Sequence, residues 1–285
     1  MYSPRWNRCC DAMKRPLRHP AKNPVPAMHK DLQLRTFGTL ELWPSATLRA
    51  KSSAHARLIS LAQNVVRSAG HGDYLAVISE RGGKPSIRKL RHIPSTEQLH
   101  LRRWKTTQRN AARCQPTPSP ASRYRRDLGI HQHMTATQPS FRQPERLVLA
   151  GWDRSGRPLW LVATAARAWT RMRRAAERAG IAMDAISGFR SYAHQSMIFR
   201  RKLQRGQSLS EILRVNTAPG FSEHHSGRAI DIGCPGEPPA ETSFEHTPAF
   251  GWLCANAARF GFCLSYPPDN PYGIDYEPWH WCWRA

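Results

Sequence analysis

Apolar residues recur with a helical period in the second half of the chain. Over residues 164–179, alanine, tryptophan and methionine side chains stand three and four positions apart with arginines opposite, which predicts an amphipathic helix. The same period predicts helices over residues 192–205 and 248–260. Ser208 and Glu211 have the spacing of a capping box and predict a short helix after them. The sequence therefore predicts four helices in this half.

Short stretches of apolar or alternating character lie between and after these helices. They predict strands over residues 181–188, 228–232, 262–266 and 279–283. Because helices come first and most strands later, the sequence predicts an α+β fold in which a small antiparallel sheet packs against helices. Residues 134–285 have the length of a single domain.

The first 133 residues show little of this regularity. Prolines recur near the N-terminus, and residues 113–127 have the composition of a linker. Only two stretches have the pattern of ordered structure, a short helix over residues 54–66 and a strand over residues 74–79. Neither has neighbours with which it could form a core. We therefore expect residues 1–133 to be a basic, Pro-rich extension that is largely irregular and disordered.

Most of the excess charge lies in this extension. The 285 residues contain 43 Lys and Arg against 20 Asp and Glu, a net charge of +23. Residues 1–133 hold 25 basic and 7 acidic residues, and residues 134–285 hold the remaining 18 and 13, so the two parts carry +18 and +5. Such a charge is compatible with nucleic acid. The basic residues match no nucleic-acid-binding motif, however, so we expect no specific nucleic-acid partner.

Three interpretations of the extension stay open. It is a basic arm for nucleic acid or an anionic envelope polymer, an extension without a specific function, or translated sequence upstream of a true start at Met134. We favour the third, because Met134 lies just before the periodic part of the chain begins, and we rank the nucleic-acid arm lowest.

Membrane spans and disulfide frameworks are not indicated. The chain has no stretch of about 18 apolar residues, which rules out an integral membrane protein. Its basic N-terminus lacks the apolar region of a signal peptide, so the sequence leaves open whether the protein works in the cytoplasm or the periplasm. Seven cysteines without a C-x-x-C pair argue against a disulfide framework. We expect a monomer.

Four side chains in the second half have the types and spacing of a catalytic zinc site. Such a site takes three His or carboxylate ligands and leaves a fourth position for water. His224 and Asp231 flank a turn at Gly227, and His280 could supply a third ligand from a neighbouring strand. Glu277 precedes His280 by three residues, near enough to accept a proton from water without binding the metal. Each pair alone is common by chance, and only the combination indicates a metal site.

The combined motifs resemble a known family. Residues 222–231 are SEHHSGRAID, residues 277–280 are EPWH and residues 187–195 are SGFRSYAHQ. These stretches are similar to the motifs of the D-alanyl-D-alanine carboxypeptidase (VanY-like) family of zinc peptidases, and the resemblance covers about residues 145–283. Phe189 stands where the family often has Tyr, and the chain ends soon after the last strand, which bears only on the stability of that edge.

The resemblance implies a hydrolase of the bacterial cell wall that removes the terminal D-alanine from a peptidoglycan stem peptide or muropeptide. It implies a Zn²⁺ ion bound by His224, Asp231 and His280, with Glu277 as the catalytic base. It also implies a hedgehog/DD-peptidase-like fold with the zinc site at the sheet.

The same resemblance implies substrate contacts. Arg190 would act in catalysis and binding, by polarising the scissile carbonyl or holding the terminal carboxylate, and Gln195 and Ser222 would line the pocket. An L,D-carboxypeptidase, a D-Ala-D-Ala dipeptidase or an endolysin-type peptidase would use the same metal site, so these remain close alternatives. A non-catalytic wall-binding module is less favoured because Glu277 and all ligands are present. A nucleic-acid binder that uses the basic first half is also less favoured.

Overall fold

The computed structural model describes residues 32–50, 52–81, 84–95, 97–102, 121–135 and 137–284. Its strands are β1 (Gln33–Phe37), β2 (Leu40–Pro44), β3 (Asn64–Ser68), β4 (Tyr74–Arg81), β5 (Lys84–Lys89), β6 (Arg146–Trp152), β7 (Pro158–Leu161), β8 (Asp184–Ser187), β9 (Ala229–Gly233), β10 (Phe262–Leu264) and β11 (His280–Trp283). Its α-helices are α1 (Ser53–Ser60), α2 (Ala121–Asp127), α3 (Ala163–Arg178), α4 (Tyr192–Gln204), α5 (Leu209–Val215) and α6 (Pro248–Asn256), and residues 97–102 are also helical.

Seven antiparallel strands form the larger sheet, in the order β5-β4-β3-β2-β1-β6-β7. Strands β1 and β2 form a hairpin whose two-residue turn begins at Gly38, where a φ of 60° favours glycine. On its other side β1 pairs with β6, and Leu34 lies opposite Leu147. The sheet therefore joins five strands from the first half of the chain to two strands from the second.

The expectation that residues 1–133 are largely irregular is wrong for the described residues 32–102. These contain five strands and helix α1, and their apolar side chains form two buried clusters. One cluster contains Leu40 and Val66, and the other contains Ile59. The strands are short and find their partners in other strands, so their burial depends on long-range pairing that a local pattern does not report.

The two ordered stretches predicted in the first half are found in part. The helix predicted over residues 54–66 corresponds to α1 at its start, because the chain turns at residues 61–63 and continues as β3. The strand predicted over residues 74–79 is confirmed within β4. Neighbouring strands supply the core partners that the sequence did not reveal.

The remaining predictions for the first half fall partly outside the described residues. Residues 1–31, with most of the N-terminal prolines, and residues 113–120 of the predicted linker lie outside them, while the end of that linker forms α2. Disorder of the N-terminus and a start at Met134 stay predictions. A chain that began at Met134 would lack five of the seven strands of the larger sheet.

The smaller sheet has four antiparallel strands in the order β10-β11-β9-β8. One face packs against α3 in the largest core cluster, where Ile230, Ile232 and Trp281 are buried with Trp169. Because successive side chains of a strand point to opposite faces, Asp231 and the residues next to Trp281 face away from this core. The predicted α+β fold with a small antiparallel sheet is thereby confirmed.

The helices of the second half lie where the apolar period predicted them. Helix α3 differs from the predicted bounds by one residue at each end and α4 by one residue at its C-terminal end, and α5 begins with the predicted capping box of Ser208 and Glu211. Helix α6 continues as a 3-10 turn over residues 257–260. Strands β6 and β7 were not predicted. Among the described residues, no helix has both the length and the apolar character that crossing a bilayer requires.

Candidate metal centre

Two neighbouring strands and one turn bring three metal-ligating side chains together. In the pairing of β9 with β11, Asp231 lies directly opposite His280. His224 comes from a 3-10 turn over Glu223–Ser226 that leads into β9 and ends at Gly227. Gly227 has a φ of 67°, and a Cβ there would lie 2.5 Å from Leu147 Cδ2, so both the backbone and the space require glycine.

The candidate ligand atoms lie close enough together to share one zinc ion. His224 Nε2 lies 3.2 Å from Asp231 Oδ1, and His280 Nδ1 lies 3.1 Å from the same oxygen. All three atoms lie within 4.8 Å of one another, and the three residues are buried. Ligands of a tetrahedral zinc site at ordinary bond lengths stand about 3.3 Å apart. The donor set therefore fits a zinc ion, and three protein ligands leave one position open.

The second nitrogen of each histidine is held by another part of the chain. His224 Nδ1 donates to the carbonyl of Gly188 over 2.7 Å, and His280 Nε2 lies 3.0 Å from Glu223 Oε2. Carbonyl or carboxylate partners of this kind fix the tautomer and the ring orientation of metal-binding histidines. The ligating nitrogens, His224 Nε2 and His280 Nδ1, are thereby left to face Asp231.

Glu223 is a functional residue that the sequence reasoning missed. Its side chain is 6% exposed and accepts hydrogen bonds from Ser265 Oγ at 2.5 Å and from Arg284 Nη2 at 2.8 Å, in addition to its contact with His280. Burial raises its pKa, but the hydrogen bonds and charge of His280, with Ser265 and Arg284, outweigh burial and lower the pKa to about 2. The only signal in the sequence was its place between Ser222 and His224 in the motif.

The ligands carry strongly shifted protonation equilibria in the protein alone. Burial disfavours the charged form of His280, but Asp231 and Glu223 outweigh it and raise the pKa of His280 to about 10. Burial likewise opposes the charged form of Asp231, yet the two histidines hold its pKa well below its usual range. Burial lowers the pKa of His224. A cation that binds here must therefore displace a proton from His280.

Glu277 lies at the edge of the ligand set without belonging to it. Its Oε2 atom is 3.7 Å from His280 Nδ1, and its side chain is 16% exposed. Its backbone N–H donates to the Tyr266 carbonyl, which fixes the residue at the end of β10. Burial raises the pKa of Glu277 to about 7, although the charge of His280 acts in the opposite direction. A carboxyl group with this pKa exchanges protons readily near neutrality.

Arg190 reaches the same site from the turn after β8. Its Nη2 atom lies 3.7 Å from Asp231 Oδ2 and 3.3 Å from Ser187 Oγ, and its Nη1 atom donates to Gln195 Oε1 over 3.1 Å. Gln195 in turn donates from Nε2 to the Thr217 carbonyl over 2.8 Å. Gln195 therefore orients Arg190, with both ends of its amide in contact with protein.

Two further residues, Ser222 and Tyr266, lie next to the candidate metal ligands. Ser222, predicted to line the pocket, is buried directly before the turn that carries His224, and its carbonyl accepts the N–H of His225. Tyr266, which the sequence reasoning did not single out, places its ring 4.8 Å from the ring of His280. Burial, with Glu223 and Glu277 nearby, raises the pKa of Tyr266 above its usual range, so its hydroxyl stays protonated.

Comparison with known proteins gives the family. The family model of VanY, D-alanyl-D-alanine carboxypeptidase, matches residues 159–285. The bifunctional D-Ala-D-Ala dipeptidase and D-Ala-D-Ala carboxypeptidase VanXYC of Enterococcus gallinarum is 30% identical over 145 residues, which are 48% of this chain and 73% of that protein. The chain belongs to the VanY family. The match to the VanY model includes the turn that carries His224 and strands β9 and β11, and therefore all three candidate ligands.

Other similar proteins match smaller parts of their own length. A D-alanyl-D-alanine carboxypeptidase of Enterococcus faecium is 34% identical over 96 residues, 33% of this chain and 27% of that protein. The chain spans between 27% and 42% of the length of three curated relatives, all named carboxypeptidases or putative carboxypeptidases. Among solved structures, the LdcB LD-carboxypeptidase is 29% identical with a TM-score of 0.46, covering 51% of this chain and 71% of that one.

Proposed function

We propose that the chain is a zinc-dependent carboxypeptidase that removes the terminal D-alanine from peptidoglycan stem peptides. Membership of the VanY family supports this reaction, since curated relatives are named D-alanyl-D-alanine carboxypeptidases. The observation that carries the proposal is the convergence of three buried ligand atoms with a fourth side chain, the carboxylate of Glu277, placed beside them. This arrangement is the one that metal-assisted hydrolysis requires.

The ligand set supports zinc as the metal. His224, Asp231 and His280 offer two imidazole nitrogens and one carboxylate oxygen, a combination that zinc peptidases use with an open fourth position. A bound zinc ion would supply Lewis acidity towards water and the scissile carbonyl. The contacts of Gly188 and Glu223 hold the two imidazoles in the tautomers that binding requires.

Glu277 provides the proton transfer in this proposal. Its carboxylate takes a proton from the attacking water and returns it to the amine of the leaving D-alanine. A pKa raised to about 7 by burial suits both directions of transfer near neutral pH. Its position 3.7 Å from His280 Nδ1 places it beside the ligands rather than among them.

Arg190 provides the positive charge that faces the substrate. Its guanidinium is held by Gln195, Ser187 and Asp231 at distances between 3.1 and 3.7 Å. From there it can donate to the scissile carbonyl oxygen as negative charge develops, or to the terminal carboxylate of the peptide.

The test is zinc content together with D-alanine release, measured on the full chain and on Glu277→Gln with a pentapeptide that ends in D-Ala-D-Ala. We expect about one zinc per chain in both proteins, because Glu277 is not a ligand. D-alanine release should fall by about 10²–10⁴-fold in Glu277→Gln, the usual contribution of a general base. The exposed Glu241 provides the matched control, and Glu241→Gln should release D-alanine at the parental rate.

Two results would contradict the proposal in different ways. A parental rate in Glu277→Gln would show that the base is assigned wrongly. Zinc binding with release of a dipeptide, or with cleavage of a tetrapeptide alone, would retain the metal site and reject the D,D-carboxypeptidase bond.

A further inference from the structure

Two turns from different parts of the chain are joined by three hydrogen bonds beside the metal ligands. Residues 188–190 follow β8, and residues 224–225 precede β9. His224 Nδ1 donates to the Gly188 carbonyl over 2.7 Å. The Arg190 N–H donates to the His224 carbonyl over 3.2 Å, and His225 Nδ1 donates to the Arg190 carbonyl over 2.6 Å. The first bond orients a metal ligand, and the other two hold the backbone of Arg190 on both sides.

His225 makes the last of these bonds and is not explained by the reaction itself. Its side chain is fully buried, and its ring packs edge-on against Tyr192 with the centroids 4.6 Å apart. Because a carbonyl only accepts, Nδ1 carries the hydrogen, and Nε2 of the neutral ring is an acceptor. That Nε2 atom is buried without a hydrogen-bond partner in the described part of the chain. An apolar side chain would fill the same space without burying an unpaired nitrogen, so packing alone does not explain a histidine at this position.

The side chain of Arg190 depends on its backbone for its position. Its three contacts, with Gln195, Ser187 and Asp231, lie at 3.1, 3.3 and 3.7 Å, which are long for charge-assisted hydrogen bonds. Such contacts leave the guanidinium free to meet a substrate but fix it only loosely. The place from which the side chain extends therefore depends on the two backbone bonds of Arg190.

We infer that His225 is a positioning residue for Arg190, whose Nδ1–H holds the backbone from which the guanidinium reaches the substrate. The role of Arg190 towards substrate rests on the proposed function, whereas the hydrogen bonds to its backbone do not. If His225 served only to fill the core, an apolar side chain at this position would leave substrate binding unchanged.

The first test compares His225→Leu with His225→Asn in the full-length chain. Leu removes the donor and keeps most of the volume, whereas the Asn amide places an N–H where Nδ1 stands. We expect His225→Leu to raise KM for the D-Ala-D-Ala pentapeptide about tenfold at unchanged zinc content, and His225→Asn to recover most of the loss. His246→Leu, at an exposed histidine far along the chain, should leave KM at the parental value. Equal KM values in His225→Leu and the parent would overturn the inference.

A double-mutant cycle tests whether His225 acts through Arg190. In an Arg190→Gln background, His225→Leu should change KM by less than about twofold, because the side chain that it positions is gone. A tenfold effect in both backgrounds would show that His225 acts independently of Arg190 and would overturn the inference.

Two measurements do not depend on activity. Nitrogen-15 NMR of the parental chain should show His225 with its hydrogen on Nδ1, and the Arg190 amide should exchange with solvent about tenfold faster in folded His225→Leu than in the parent or in His225→Asn. Equal exchange rates would overturn the inference, and a hydrogen on Nε2 in the parent would overturn it even if the Leu variant fails to fold. If the parent hydrolyses no peptide but passes these tests, the proposed function fails and the backbone role of His225 stands.

Discussion

The four-stranded sheet carries two of the metal ligands and is built from residues 184–283, whereas the seven-stranded sheet carries none of the ligands and takes five strands from the first half. The two regions meet at the segment that holds Arg190. Phe189 packs against the cluster that contains Leu34 and Trp160, and its N–H donates to the Trp160 carbonyl over 3.0 Å. Two of the three ligands therefore belong to one sheet, whereas Arg190, which we propose faces the substrate, is supported by both sheets.

Further contacts connect the segment that holds Arg190 to the larger sheet and to the first half of the chain. A Cβ on Gly188 would lie 2.7 Å from Leu159 Cδ1, so the segment lies directly against β7. The Tyr192 N–H donates to Gln143 Oε1, and Ser191 Oγ lies 3.4 Å from the carbonyl of Ala69 in the first half. The two sheets therefore have different roles. The metal ligands come from the second half of the chain, whereas the segment that holds Arg190 also takes support from the first half.

The largest effect should come from breaking the ligand set in the smaller sheet. We expect His280→Ala to lose bound zinc and to hydrolyse the pentapeptide at the background rate, because only two ligands remain and Asp231 loses one of its two imidazole partners. Elemental analysis and D-alanine release measure the two effects. Retention of one zinc per chain would reject His280 as a ligand.

A change in the larger sheet should instead act on stability. Leu34 is fully buried between β2 and β6, and Leu34→Ala should lower the free energy of unfolding by about 2–5 kcal/mol. The folded fraction should still bind one zinc per chain. Leu61→Ala is the matched control, since Leu61 is 71% exposed and its loss should cost little. Denaturant unfolding measures both variants. Equal losses in the free energy of unfolding would contradict the assignment of Leu34 to a buried core on this sheet.

Glu223→Gln should weaken metal binding without removing a ligand. The amide keeps the shape of Glu223 but removes the charge that faces His280 Nε2, so zinc affinity should fall by about 10–100-fold. Competition with a chelator measures the affinity, and the control Glu241→Gln should leave it unchanged. An unchanged affinity in Glu223→Gln would show that the carboxylate serves only the contacts with Ser265 and Arg284.

The smallest effect expected is the change in zinc affinity that a shift of one pH unit causes. In the metal-free protein the pKa of His280 is raised to about 10, so the ring is protonated below that pH and must lose a proton to bind zinc. Affinity should therefore rise by about tenfold per pH unit between about pH 6 and 9, with release of one proton. Calorimetry in buffers of different ionisation enthalpy counts the protons, and a flat profile would contradict the assignment.

The parts of the molecule that sequence predicted are those whose signals are local. Helix α3 places Trp169 and Met172 on one face within four residues, and the ligands His224 and Asp231 lie seven positions apart around one turn. A helical period or a turn motif is complete within such a stretch. These elements needed no knowledge of distant parts of the chain.

The parts that sequence missed depend on distant partners. Leu34 is buried because β6 lies beside it, and nothing within QLRTF distinguishes this strand from an exposed segment. Glu223 has its role because Ser265, His280 and Arg284 converge on it from positions 42 to 61 residues away. Long-range pairing of this kind leaves no periodic trace in one sequence.

The pairing of β1 with β6 also has a consequence for synthesis of the chain. Thr36 Oγ1 donates to the Pro144 carbonyl, a partner 108 residues further along. At ordinary translation rates that interval lasts roughly 5–20 s, during which β1 has β2 on one side and an open edge on the other. An open edge is a template for pairing with other chains. The nascent chain therefore passes through a period of exposure to aggregation that ends only when β6 leaves the ribosome.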